Sequence, residues 1–262
     1  MNPIVIIPVY KPRLSQYEDT SFRRALTVLN EHPIKLVTHK SLDLETYSRI
    51  SKEYNKEIGV EYFNKSYFKS LKGYNKLLMN KEFYTRFKDH DYMLIYQLDA
   101  YVFRDELLYW CNKGYDYIGP PWFQDFLSKE DGKELWEVGN GGFSLRNIGR
   151  FIEIIEKNDI RHNLRFYYRY FSSFRLGWVK RIMVSIINAY ITQYKINEDY
   201  YFVYIGERLN PKLKTPDIET SIRFAFEKSP SYLYEINNQE LPFGAHAFEK
   251  NQMEEFWSKH IL

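Results

Sequence analysis

Four short apolar runs separated by amphipathic segments constrain this chain more than any other feature. The runs lie at 3–10, 34–38, 59–63 and 92–98, and they are rich in the β-branched and aromatic residues that suit strands. Between them, 17–31 carries Phe22, Ala25, Leu26 and Leu29 at helical spacing, and 43–56 reads as a second helix. Segment 66–88 places Phe68, Leu71, Tyr74, Leu78 and Phe87 on one face of a long third helix. Strands alternating with helices of this length build βαβ units, and so a parallel sheet covered on both faces.

The first half is therefore expected to be a Rossmann-like, nucleotide-binding sheet. No G-x-G-x-x-G follows the first strand and no G-x-x-x-x-G-K-[ST] occurs anywhere, which disfavours a dinucleotide oxidoreductase and a P-loop kinase. The fourth run, Tyr92-Met-Leu-Ile-Tyr-Gln-Leu-Asp99-Ala-Tyr101, ends on a carboxylate. A charge there is costly without a partner. In open α/β sheets ligands bind at the carboxyl ends of strands. Asp99 is thus either the floor of an active site or a cap on the following turn.

The 262 residues include a single cysteine, Cys111, which excludes an internal disulfide framework and a zinc-type Cys/His site. The first ten residues lack the basic and apolar regions of a signal peptide, and no run is long enough for a transmembrane helix. The expected location is cytoplasmic. A net charge of +3 is too small to argue for nucleic acid. Aromatic content is high, at 18% with 24 Tyr, and such faces suit stacking on bases and sugars.

Beyond Asp99 the sequence predicts a helix near 105–113, a strand at 115–118, and a rigid turn, Gly119-Pro-Pro-Trp122, that presents an indole. A polar loop over 123–136 is expected to cover the site. Then comes Val138-Gly-Asn-Gly-Gly-Phe-Ser-Leu-Arg146, whose missing Cβ atoms permit close approach of backbone to a ligand. A strand from Phe143 and a helix at 147–157 follow. Residues 160–197 contain no acidic residue but interleave Arg161, Arg165, Arg169, Arg175, Lys180 and Arg181 with aromatics. Glu198-Asp199 opens an aromatic helix, Leu241-Pro-Phe-Gly-Ala-His246 forms a loop, and 251–259 reads as a last helix.

Four features stand in order: Asp99, Gly139-Asn-Gly-Gly142, Glu198-Asp199 and His246. This order resembles GT-A type glycosyltransferases, and the opening Val5-Ile-Ile-Pro-Val-Tyr10 is similar to the first strand of that fold. More closely, Gln97-Leu-Asp-Ala100, Tyr117-Ile-Gly-Pro-Pro-Trp122, Gly139-Asn-Gly-Gly-Phe-Ser-Leu145, Asn197-Glu-Asp199 and Pro242-Phe-Gly-Ala-His246 resemble a bacterial family. That family is catalogued as a domain of unknown function and grouped with glycosyltransferases. The set spans most of 3–248.

The resemblance implies one GT-A-like domain over 1–262, a three-layer α/β/α fold with a mixed, mostly parallel central sheet. Residues 1–104 would hold the nucleotide and 105–262 the acceptor, with a helical excursion at 160–197. It implies transfer of a sugar from a nucleotide sugar, a UDP-sugar first, to a hydroxyl of a saccharide or lipid-linked saccharide, in cell-surface glycan synthesis. Donor contacts fall on Pro8, Val9, Tyr10, Lys72, Tyr74, Asn75, Gln97, Asp99 and Ala100. Trp122, Asn140, Gly141 and Gly142 fall at the sugar and acceptor.

Such enzymes bind the diphosphate through a divalent cation, Mn²⁺ or Mg²⁺, held by a D-x-D motif. Here Tyr101 stands where a second acid after Asp99 is expected, and His246 resembles a C-terminal metal-binding histidine. Asp199 matches the catalytic base of inverting members, with Glu198 orienting acceptor hydroxyls. A charge pair that merely stabilises a helix N-terminus would look the same.

Two rivals remain at this point. A non-catalytic nucleotide- or saccharide-binding module would explain the incomplete D-x-D. A nucleotidyltransferase ranks below it, because Val9-Tyr-Lys-Pro-Arg13 lacks glycine. Segment 161–181 reads as a peripheral contact with the inner face of an anionic membrane, as an acceptor lid, or as a solvated basic face.

Overall fold

The computed structural model describes residues 1–123, 134–157, 197–206 and 211–261. In chain order the first half runs β1 (Pro3–Pro8), α1 (Gln16–Val28), β2 (Ile34–Thr38), α2 (Glu45–Glu53), β3 (Gly59–Tyr62), α3 (Leu71–Leu78), α4 (Lys81–Thr85) and β4 (Tyr92–Tyr96). It continues with β5 (Tyr101–Val102), α5 (Leu107–Asn112), β6 (Tyr117–Ile118), β7 (Pro121–Phe123), β8 (Leu135–Val138), β9 (Phe143–Asn147) and α6 (Ile148–Lys157). Then come α7 (Glu198–Gly206), α8 (Ile218–Phe224), β10 (Ala225–Phe226), α9 (Pro230–Ile236) and β11 (Gly244–Ala245).

Six strands form a mixed central sheet in the order β3-β2-β1-β4-β9-β6. The first four neighbours are parallel, while β9 runs antiparallel to both β4 and β6. Every residue of β1 and β4 is buried, as a strand covered on both faces requires. The period-2 alternation sorts them: Val5, Ile7, Leu94 and Tyr96 pack with α1, α2 and α5, while Ile4, Ile6, Met93 and Ile95 pack with α3, α4 and α6. The expected α/β fold with a mixed, mostly parallel sheet is what forms.

Local chemistry explains the boundaries. Ser15 and Glu18 close a capping box at the start of α1, each side chain taking the other's backbone N–H. The long helix expected over 66–88 is instead broken into a 3₁₀ turn at Lys65–Phe68, then α3, then α4. Asn64, Ser70 and Asn80 each cap the start of one piece, so three local N-termini defeat one continuous periodicity. The helix expected at 251–259 is likewise replaced by 3₁₀ turns at Phe248–Lys250 and Trp257–Lys259. Gln252 takes a positive φ there, and Trp257 is buried against Phe103 and Phe256. The rigid turn expected at 119–122 enters β7, which pairs with β8.

The basic-aromatic segment 161–181 and most of the loop over 123–136 lie outside the described residues. No helix among the described residues is long and apolar enough to cross a membrane.

Candidate active site

Strand order reverses between β1 and β4, which are adjacent and parallel; such a switch point opens a crevice at the carboxyl ends. A cleft of about 410 Å³ lies there. Pro8 and Tyr10 from the end of β1 and Gln97, Leu98 and Asp99 from the end of β4 line it. Tyr67 to Leu71 and Tyr74, around the start of α3, form one wall, and Glu249 and Lys250 the rim. Tyr10 is 59% exposed at the mouth, with Lys11 Nζ 5.9 Å from its ring centre.

Strand pairing brings His246 to this floor from the far end of the chain. β11 runs antiparallel to β5 with Ala245 opposite Tyr101, which places the next residue beside the turn holding Asp99. His246 Nε2 lies 3.3 Å from Asp99 Oδ1 and 3.4 Å from Gln97 Oε1. Its Nδ1 lies 3.2 Å from Glu227 Oε1. Lys250 Nζ donates to Asp99 Oδ2 at 2.6 Å.

Burial works against an imidazolium, yet the two carboxylates outweigh it and raise His246 to about 10. Burial likewise opposes the charge of Asp99, but His246 and Lys250 hold its carboxyl below the usual range. Tyr101 is not at the site: it sits in β5, 5% exposed, packed on Phe103 and Phe248. The residue that shares the floor with Asp99 is Gln97, two positions before it rather than two after.

The glycine loop joins this floor to a second cluster. Gln97 N–H donates to Gly142 O at 2.9 Å, extending the β4–β9 pairing by one residue. A Cβ at Gly142 would stand 1.9 Å from His246 Nε2, one at Gly141 2.2 Å from Glu198 Oε1, and one at Gly139 2.1 Å from the Trp122 ring. The close approach these glycines permit is thus to the protein's own side chains. Gly142→Ala is expected to cost about 1–3 kcal/mol, because His246 is held on both sides and cannot yield. Thermal unfolding checks it, with Gly149→Ala as the control, whose Cβ would meet only Asn147 at 3.6 Å.

The second cluster is centred on Arg146, fully buried in β9. Its guanidinium donates to Ser144 Oγ and Tyr84 Oη at 3.0 Å, and to Glu198 Oε1 at 2.9 Å. Glu198, 3% exposed, is turned inward to this pair, with Oε2 buried and unpartnered among the described residues. Asp199 is half-buried. Its carboxylate accepts from Gly141 N–H at 3.0 Å and from Tyr200 N–H at 2.7 Å. Burial and then the charge of Glu198 raise it to about 7, despite those two donors.

The remaining candidates divide. Pro8, Tyr10, Tyr74, Gln97 and Asp99 line the cleft, whereas Val9 and Ala100 are fully buried beneath it. Asn75 faces α7, donating to Asn197 Oδ1 and accepting from Glu198 N–H. Lys72 is exposed on α3 and is not a lining residue. Trp122 is 6% exposed and packs on Trp136 and Tyr200, so it presents no open face to a sugar. Asn140, at φ 60°, donates to Glu227 Oε2 at 2.6 Å. Sequence reasoning missed Glu227, Lys250 and Arg146. Only Arg146 had a signal, the single charge in the strand that follows the glycine loop.

The mixed α/β fold matches that of GT-A glycosyltransferases of known structure. The structure resembles apo mouse xyloside xylosyltransferase 1 with a TM-score of 0.51 at 10% identity, covering 94% of this chain and 96% of that one. It also resembles an active-site mutant of LgtC, with a TM-score of 0.50 at 13% identity over 93% and 86% of the two chains. At these identities the likeness is one of fold. The chain belongs to DUF5672, a family of proteins of unknown function, which matches residues 57–246. No curated protein matches the sequence.

Proposed function

We propose that this protein is a glycosyltransferase that binds a nucleotide sugar, a UDP-sugar first, in the switch-point cleft. The acceptor is a hydroxyl of a saccharide or lipid-linked saccharide, in the making of a cell-surface glycan. The observation that carries the reading is the gathering of Gln97, Asp99, His246 and Lys250 at the carboxyl ends of β1 and β4, where a fold of this kind binds ligands. The name of the mouse xylosyltransferase supports the same reaction class. Residues 1–104 would carry the nucleotide and 105–262 the acceptor.

Transfer forms a bond between the acceptor oxygen and the anomeric carbon and breaks the bond from that carbon to the diphosphate. The bonding pair leaves on the diphosphate oxygen, and the acceptor proton goes to a base. Lys250 stands beside Asp99 as a cation for the leaving charge. Tyr10 offers its face to the base or ribose. Asp199 takes the proton, since a carboxylate raised to about 7 is matched to that task near neutral pH. Glu198, ion-paired with Arg146, fixes the start of α7 and so the place of Asp199.

Among the described residues, no group of three or more His, Cys, Asp or Glu could hold a metal ion. The floor nevertheless fits a divalent cation by its donor chemistry. Asp99 Oδ1, His246 Nε2 and Gln97 Oε1 are three acceptor atoms, each oxygen within 3.4 Å of Nε2, and Glu227 backs the other ring nitrogen. Phosphate oxygens and water would complete the set. Bound there, Mn²⁺ or Mg²⁺ would neutralise charge on the leaving diphosphate, after displacing the proton from His246.

Incubation with a panel of UDP-, GDP- and CMP-sugars tests the proposal. One class is expected to bind and to be slowly hydrolysed. Binding of none of them overturns it, and binding without hydrolysis or transfer makes the protein a nucleotide-sugar-binding module.

A further inference from the structure

Glu227 touches no reacting group in the chemistry above, yet beyond backing the ring of His246 it reaches the glycine loop as well. It follows β10, which runs parallel to β11 with Phe226 opposite Ala245, so Glu227 and His246 extend from the strands side by side. His246 N–H also donates to Phe226 O at 2.8 Å, which locks that register. One carboxylate oxygen lies 3.2 Å from His246 Nδ1. The other accepts from Asn140 Nδ2 at 2.6 Å. Asn140 is the loop residue at φ 60°, and its own Oδ1 accepts from Gly142 N–H at 3.0 Å. Gly142 in turn carries the backbone against which the His246 ring rests.

We propose that Glu227 is the positioning residue of the site: it turns His246 so that Nε2 faces Asp99 and Gln97, and it clamps the glycine loop to that ring. The two contacts are on different oxygens, so one carboxylate serves both without competition. An imidazole alone can flip, presenting carbon where a nitrogen is needed. An acceptor at Nδ1 removes that freedom and fixes which nitrogen meets the cleft. The partner is charged, and a carboxylate behind a ligating imidazole raises the basicity of the other nitrogen. The consequence is that the loop at 139–142 and the cation-binding floor move together. A donor that orders one orders the other. The orientation of the ring follows from these contacts, whereas the effect on a cation rests on the glycosyltransferase reading.

Two measurements on the full-length protein separate these. Nitrogen NMR of protein labelled at histidine reads the His246 ring, assigned by comparison with His246→Gln. Manganese binding, alone and with UDP, is read by the loss of the free-ion signal in electron paramagnetic resonance. For wild type we expect a single ring orientation with a hydrogen-bonded proton on Nδ1. Glu227→Ala is expected to lose that signature and to weaken Mn²⁺ by about 10–100-fold. Glu227→Gln keeps an acceptor for Nδ1 through its amide oxygen but loses the charge and the acceptor for Asn140, and is expected to keep the ring signature and to bind Mn²⁺ more weakly than wild type and more tightly than Glu227→Ala.

Thermal unfolding in EDTA identifies any variant that has lost its fold. If Glu227→Ala is unfolded, Glu227→Gln and Asn140→Ala carry the test. Asn140→Ala must then leave the ring signature intact while loosening the loop. Should wild type bind no Mn²⁺ in either arm, the cation reading fails, and the ring signature still decides the role of Glu227. A folded Glu227→Ala that retains the Nδ1 signature overturns the proposal, as does wild-type Mn²⁺ affinity in that variant.

Discussion

Arg146→Met is expected to lower stability by about 3–5 kcal/mol, the largest loss of any single substitution considered. Arg146 is fully buried and Glu198 is 3% exposed, so the guanidinium is the only cation facing that carboxylate among the described residues. Removing it strands a buried charge, and the ring hydroxyl of Tyr84 and Ser144 Oγ lose a partner as well. The guanidinium itself is held firmly: burial works against its charge, but Glu198, Tyr84 and Tyr117 push its pKa well above the ordinary value. Its flat face also lies over the rings of Tyr117 and Phe151. In a chain of this size the loss corresponds to a fall of roughly 10 °C in melting temperature.

The double variant Arg146→Met with Glu198→Met discriminates between an ion pair and simple packing. Replacing both charges with apolar groups of similar volume is often close to neutral. The double variant is therefore expected to recover most of the lost stability by chemical denaturation. If it is no more stable than Arg146→Met, then the penalty comes from lost volume and from Tyr84, and Glu198 does not depend on the guanidinium.

This cluster also shows what a sequence of this kind exposes and what it hides. Strands β1 and β4 are legible because burial on both faces demands an unbroken apolar run, and β2 keeps most of that pattern, interrupted by the half-buried Lys35. The position of Asp99 follows from the same logic, as a charge that cannot stay inside such a run. The break-up of 66–88 was hidden because its apolar spacing persists across Ser70 and Asn80, whose side chains reroute the backbone locally. The end of the chain was hidden for the opposite reason. Met253, Phe256 and Trp257 have helical spacing, but the demand of the Phe103 and Phe226 rings for Trp257 overrides it.

Site residues divide along the same line. Lys250 and Glu227 reach the floor through β10 and β11, two-residue strands too short to leave a periodic trace. Lys250 is 151 positions from the Asp99 it pairs with, so no local spacing connects them. The glycines of 139–142 were visible as a need for space. What fills the space, His246, Glu198 and Trp122, arrives from elsewhere in the chain. A missing Cβ says that something comes close, and is silent on whether that is a ligand or the protein itself.

Asp199→Asn is expected to abolish sugar transfer, by about 10²–10⁴-fold, while leaving donor binding little changed. The two N–H donors, from Gly141 and Tyr200, fall on different carboxylate oxygens, so the amide keeps an acceptor for one of them only, and it cannot take a proton from an acceptor hydroxyl. Wild-type turnover should rise with pH through about 7 as the carboxyl ionises. The same group writes a signature into stability. The folded protein holds this proton up to about pH 7, whereas the unfolded chain releases it near the ordinary aspartate value of 3.8. Its contribution is therefore fully present below pH 3.8, falls as pH rises from there to about 7, and is flat above.

The fall amounts to at most about 4 kcal/mol, and to less where water reaches the half-buried carboxyl. Asparagine stays neutral at every pH, so the variant should lose less stability than wild type between pH 4 and 8, on top of a pH-independent cost from the one N–H left without an acceptor. Denaturation midpoints of the two proteins at pH 5 and pH 8 measure the difference, in which every other titrating group cancels. Parallel pH dependences would place the raised carboxyl elsewhere, and would remove Asp199 as the base even if the substitution silenced the enzyme.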